Sequence, residues 1–112
     1  MEEIIFITLI SVLALSFISF NVLATSTHIE EAMRHTEAAM TSTDGHSIAS
    51  HATDAITHAR AAYDDKENKI NPIEVDEALR FLNSAINEGN NAKVEAAQEA
   101  ARKAHELFKF AK

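Results

Sequence analysis

The chain has 112 residues, 17 acidic against 10 basic, with a net charge of −7 and no cysteine. That length supports one small domain, and the acidic balance disfavours nucleic acid and anionic membrane as partners while concentrating cations near the surface. The lack of cysteine excludes thiolate metal sites, c-type haem attachment and iron–sulfur clusters, leaving imidazole and carboxylate as the metal-binding side chains.

The chain opens on an apolar run, Ile4 to Phe20, followed by Asn21-Val22-Leu23-Ala24. Val22 and Ala24 occupy the −3 and −1 positions that a signal peptidase reads. Residues 1–24 are therefore read as a signal peptide and residues 25–112 as an exported, periplasmic domain. Met1-Glu2-Glu3 carries no Lys or Arg, unlike the usual start of a signal peptide, and the run is just long enough to span a bilayer. An uncleaved N-terminal anchor is the alternative, and either way the remainder lies outside the cytoplasm.

Beyond Ala24 the sequence is rich in alanine and contains two glycines and one proline, a composition that predicts helices with short connections. The first helix is expected near 28–42, with Ile29, Ala32, Met33, Thr36, Ala39 and Met40 on its core face. Thr43-Asp44-Gly45 breaks it from a second helix near 46–63, whose core face is Ile48, Ala52, Ala55, Ile56, Ala59, Ala62 and Tyr63. A polar stretch from Asp64 ends in Asn71-Pro72, where Asn caps and Pro takes the first helical position of a helix near 72–87. That helix offers Val75, Ala78, Leu79, Leu82 and Ile86. Glu88-Gly89-Asn90-Asn91 makes the last break before a helix near 91–110 with Val94, Ala97, Ala101 and Leu107 or Phe108 inward. The fold expected is all-α, an up-down-up-down antiparallel four-helix bundle preceded by the signal segment. Its alanine-rich core buries little area, so stability without ligand is expected to be modest.

A repeat of about 23 residues underlies these helices. His28, Glu31, Ala32, Met33, His35, Ala38-Ala39 and Met40 align with His51, Asp54, Ala55, Ile56, His58, Ala61-Ala62 and Tyr63. Glu74, Glu77, Ala78, Leu79, Phe81, Ala85 and Ile86 take the same slots in the third unit. The fourth fits one residue out of step through Ala96, Glu99, Ala100, Ala101, Lys103 and Phe108.

Of the six histidines, four form two copies of His-x-x-Glu/Asp-x-x-x-His: His28, Glu31, His35 and His51, Asp54, His58. Residues three, four and seven apart return to one face of a helix, so each trio is a stripe. Histidines seven apart stand roughly 10 Å apart along the axis and cannot chelate one ion together. Ligands must then come from the neighbouring helix. Both stripes lie about a quarter turn from the core face in the same sense, so a hairpin of the right hand closes them along one seam. Folding at Asp44-Gly45 is expected to give one site from His35, His51 and Asp54 and another from His28, Glu31 and His58. His46, beside Gly45, suits a cap or a loop site and is counted with the metal candidates. His105 suits the helix dipole near the C-terminus, and its role stays open.

The stretch Thr27-His28-Ile29-Glu30-Glu31-Ala32-Met33-Arg34-His35 resembles the start of mature small metal-binding proteins. So do Gly45-His46, His51-Ala52 and Ile56-Thr57-His58-Ala59-Arg60-Ala61-Ala62. The resemblance covers Thr27 to Tyr63 closely and the second half in organisation only. It implies a small, histidine-rich, periplasmic four-helix bundle that binds copper(II) and other divalent ions and buffers or sequesters them. Family members carry histidines throughout both hairpins. Here the equivalent slots hold Glu74, Phe81, Ala96 and Lys103, so the second hairpin is expected to be scaffold and fewer ions are expected per chain.

The function expected is reversible periplasmic binding of divalent metal ions, copper(II) first, with nickel(II) and zinc(II) as alternatives. No catalysis and no small-molecule substrate are expected, since no nucleophile arrangement is evident, and a monomer is expected. Neutral imidazole is the ligand, so binding should weaken as pH falls through about 6.5, where free imidazole side chains take up protons. A membrane-anchored helical interaction module with incidental metal binding is the competing reading. A haem bundle using Met33 or Met40 with His105 ranks below both, because methionines at this spacing serve as core.

Overall fold

The computed structural model describes residues 27–65 and 69–112. The segment 1–24, read above as signal peptide or anchor, lies outside the described residues. Within them are four helices, α1 (His28–Thr41), α2 (Gly45–Tyr63), α3 (Pro72–Asn90) and α4 (Val94–Ala111), and no strand. No helix among the described residues is long and apolar enough to cross a membrane.

The first three helix starts are each written in a side chain. Thr27 opens α1 with a capping box: its hydroxyl accepts from the Glu30 amide at 3.3 Å, and the Glu30 carboxylate accepts from the Thr27 amide at 3.4 Å. Asp44 caps α2 by accepting from both the amide and the hydroxyl of Ser47, each at 3.0 Å. These bonds to the ionised form hold the Asp44 carboxyl below the usual carboxylate range. Asn71 caps α3 through the Ile73 amide at 3.1 Å, with Pro72 in the first turn, as the sequence predicts. Lys93, before α4, makes no side-chain cap.

The break after α3 differs from expectation. The helix runs through Gly89 to Asn90, and the chain reverses at Ala92, which takes a left-handed φ of 61°. The Lys93 amide then reaches the Glu88 carbonyl at 2.9 Å and the Ala92 amide the Gly89 carbonyl at 3.1 Å, closing the helix end. Gly89 is needed elsewhere. A Cβ placed on it would stand 2.5 Å from the Gly45 carbonyl oxygen, and one placed on Gly45 would clash with the Gly89 carbonyl. The start of α2 and the end of α3 thus touch backbone to backbone, and both glycines serve that approach.

Other ends are tied as closely. The Asn71 amide, before α3, donates to the Ala111 carbonyl at the end of α4, at 3.0 Å. The Gln98 side chain on α4 donates to the Ser42 carbonyl after α1 at 2.7 Å, and Lys112 pairs with Glu30 at 3.7 Å.

The core is a small-residue seam with a few large anchors. Ile29, Ala32, Thr36 and Ala39 bury from α1; Ile48, Ala52, Ala55, Ile56, Ala59 and Ala62 from α2; Val75, Ala78, Leu82 and Ala85 from α3; Ala97, Ala101, Ala104 and Phe108 from α4. Phe108, Ile48, Leu82 and Val75 are the largest apolar side chains fully enclosed. Met33 and Met40 pack on the edge of this core with Leu79, Ile86, Val94 and Leu107. Thr36 is buried without cost because its hydroxyl donates to the Ala32 carbonyl at 2.6 Å. Tyr63, expected inside, is 40% exposed. Its phenol hydroxyl has to be satisfied, and at the last turn of α2 it reaches outward to the Asp76 carboxylate on α3.

Candidate metal centre

The seam between α1 and α2 gathers His28, His35, His51 and His58. Rings of His28 and His58 have centroids 5.8 Å apart, and those of His35 and His51 are 6.2 Å apart. His35 and His58 come closer still, at 5.4 Å, with ring planes only 10° from parallel. The hairpin therefore has the hand that closes the two stripes together.

Two groups of three donors can each hold an ion: His35, His51 and Asp54, and Glu31, His35 and His58. In each, one ligand atom per residue lies within 4.8 Å of the other two. The first group is the one expected from the sequence. In it His35 Nδ1 faces Asp54 Oδ2 at 3.9 Å. The second departs from expectation, with His35 in the place foreseen for His28.

The reason is the lean of side chains on a helix. Every Cα–Cβ bond tilts toward its own N-terminus. In this hairpin His35 leans toward the start of α1 and His58 toward the start of α2, so the two rings converge. His28 and His51 lean away from the rings directly across from them. Matching residues by height alone pairs His28 with His58, whereas the tilt puts His35 between His51 and His58. His28, the exposed first residue of α1, borders the second group through its ring contact with His58. His46 lies exposed in the first turn of α2, and neither it nor His105 belongs to either group.

The donor chemistry suits a borderline divalent cation. Imidazole with carboxylate is a nitrogen–oxygen set, with no sulfur among the donors. His51 Nδ1 is buried and has no hydrogen-bond partner, so the fold leaves part of this ring's bonding capacity unused. His35 is 28% and Asp54 55% exposed, which leaves an ion a path from solvent. The second group is encumbered. Glu31, 17% exposed, is ion-paired with Arg34 one turn along α1. That pairing went unread in the sequence, although Glu31 and Arg34 stand at the i,i+3 spacing that signals it.

On the second hairpin the slots equivalent to histidine are built differently. Lys103 holds its ammonium over the Phe81 ring, 5.5 Å from the centroid, a cation–π contact that supplies its own positive charge.

The sequence pattern of the small metal-binding protein family matches residues 1–111. The chain belongs to the small metal-binding protein family. No curated protein matches it. Membership makes metal ions the partners of this small metal-binding protein, and the histidine–carboxylate groups on the α1–α2 seam are where its side chains can hold one.

Proposed function

We propose that this small metal-binding protein is an exported buffer for divalent transition-metal ions, copper(II) before nickel(II) and zinc(II). It holds them reversibly on the α1–α2 seam and catalyses no reaction. The observation that carries this is the convergence of His35, His51 and Asp54, and of Glu31, His35 and His58, into three-donor groups on one face. The preference for copper(II) follows from the nitrogen-rich donors and the order of divalent affinities, in which copper(II) stands highest. His28 and His46 are the outlying ligands of this reading. We take the bundle to be up-down-up-down, as the ties between helix ends support, and the protein to be a monomer. Residues 1–24 act as a signal peptide that delivers residues 25–112 to the periplasm. An anchored form is the alternative for that segment, and the mass of the exported protein separates the two, since cleavage leaves a chain beginning at Thr25.

The test is thermal unfolding with and without metal. A ligand that binds only the folded state stabilises it by about 2.7 kcal/mol at a hundredfold excess over Kd. Copper(II) should raise the melting temperature of the purified protein, and replacing His35, His51 and His58 together by Ala should remove most of the rise. An undiminished rise in the triple variant refutes the seam as the site.

A further inference from the structure

We infer that the two donor groups are alternative positions for one ion, with His35 the ligand common to both and Arg34 biasing the ion toward His51 and Asp54. This rests on the metal-binding reading of the seam.

His35 belongs to both groups and no other residue does. A neutral imidazole offers one lone pair, because its other ring nitrogen carries a proton. An ion ligated by His35 in one group therefore takes from the other the donor that completes it. Without His35, one group is reduced to His51 and Asp54 and the other to Glu31 and His58. Charge acts in the same direction. Each group contains a single carboxylate, so two dications around one imidazole would each keep an excess positive charge at short range and repel. The stacked rings of His35 and His58, 5.4 Å apart, give the ion a short step between the two positions.

The positions are unequal. Asp54 is exposed and faces the uncharged donors of its own group, His35 Nδ1 among them at 3.9 Å, whereas Glu31 is engaged by the Arg34 guanidinium. An ion entering the second group has to compete with that cation for the Glu31 carboxylate and stays near it afterwards. The resident position is therefore His35, His51 and Asp54, and the Glu31 group is the reserve.

Copper(II) titration against a competing chelator, on the full chain, distinguishes the possibilities. The number of tightly held ions should be the same in wild type, His51→Ala and His58→Ala. It should fall by one in His35→Ala and in the His51→Ala/His58→Ala double variant. In the His51→Ala background, Arg34→Ala should tighten binding by up to about fivefold, the scale of an exposed ion pair. In wild type it should leave affinity unchanged. Circular dichroism confirms that each variant keeps its helices. A loss of one ion in His51→Ala and again in His58→Ala means two independent sites and overturns the inference while leaving metal binding intact. So does an Arg34→Ala change with no effect in the His51→Ala background. Wild-type protein that takes up no copper(II) overturns both readings.

Discussion

His35 on α1 stacks on His58 of α2, two residues that do not face each other at equal height in the hairpin. The stack follows from the opposite lean of the two side chains, and it makes His35 the centre of the seam and His28 its margin. His35→Ala should therefore abolish most of the stabilisation by copper(II), of the order of 2 kcal/mol at a hundredfold excess over Kd. His28→Ala should retain most of it. Melting curves of the two variants with and without copper(II) check this, and equal losses would contradict the geometry.

Tyr63 provides an optical probe of the α2–α3 contact. Burial, with the Asp76 carboxylate as the second cause, pushes its pKa up from 10.0 to about 12. Tyr63 is the one tyrosine in the chain and there is no tryptophan, so tyrosinate absorbance reports this side chain directly. The titration midpoint should lie at about 12, and Asp76→Asn should bring it only part of the way back. Between pH 10 and 12 the folded state keeps a proton that the unfolded state has lost. The contribution to stability is thus complete below pH 10 and disappears as pH rises to 12. Solvent screening of so exposed a pair limits it to about 1 kcal/mol. A midpoint at 10.0 would rule the contact out.

Ala92 takes a left-handed backbone with a Cβ that disfavours it. Ala92→Gly should stabilise the protein by about 1 kcal/mol, since glycine adopts this conformation without the steric penalty. Urea denaturation measures it, and a destabilised variant would mean that the turn is not left-handed.

At Gly89 the sign reverses. Alanine inside a helix ordinarily gains about 1 kcal/mol over glycine. Here its Cβ would meet the Gly45 carbonyl oxygen at 2.5 Å, and backbone cannot move aside as a side-chain tip can. Gly89→Ala should destabilise by about 1–3 kcal/mol, the range of overpacked sites. The same urea experiment decides, and a gain in stability would show that α2 and α3 do not touch there.

Much of this architecture was legible in the sequence. The three-four apolar spacing, the Asn71-Pro72 start and the Asp44-Gly45 break placed the helices within a few residues. The His35, His51 and Asp54 group followed from the repeat and the hairpin. Three features did not follow, each for a physical reason. Gly89 looked like a helix stop because sequence cannot distinguish a glycine that turns the chain from one that admits a neighbouring backbone. Tyr63 sat at a core spacing, but the spacing says nothing of where its hydroxyl finds a partner. The exchange of His35 for His28 in the second group came from side-chain tilt, a displacement of less than a helical turn that a count of residues along the axis does not register.

The Lys103–Phe81 contact gives the molecule an internal reference half. Where the first hairpin offers donor groups to a cation from outside, the second carries a tethered one whose presence does not vary with supply. Amide exchange should accordingly slow along α1 and α2 when copper(II) is added and stay unchanged along α3 and α4. Only one side of the bundle would then register the metal content of its surroundings.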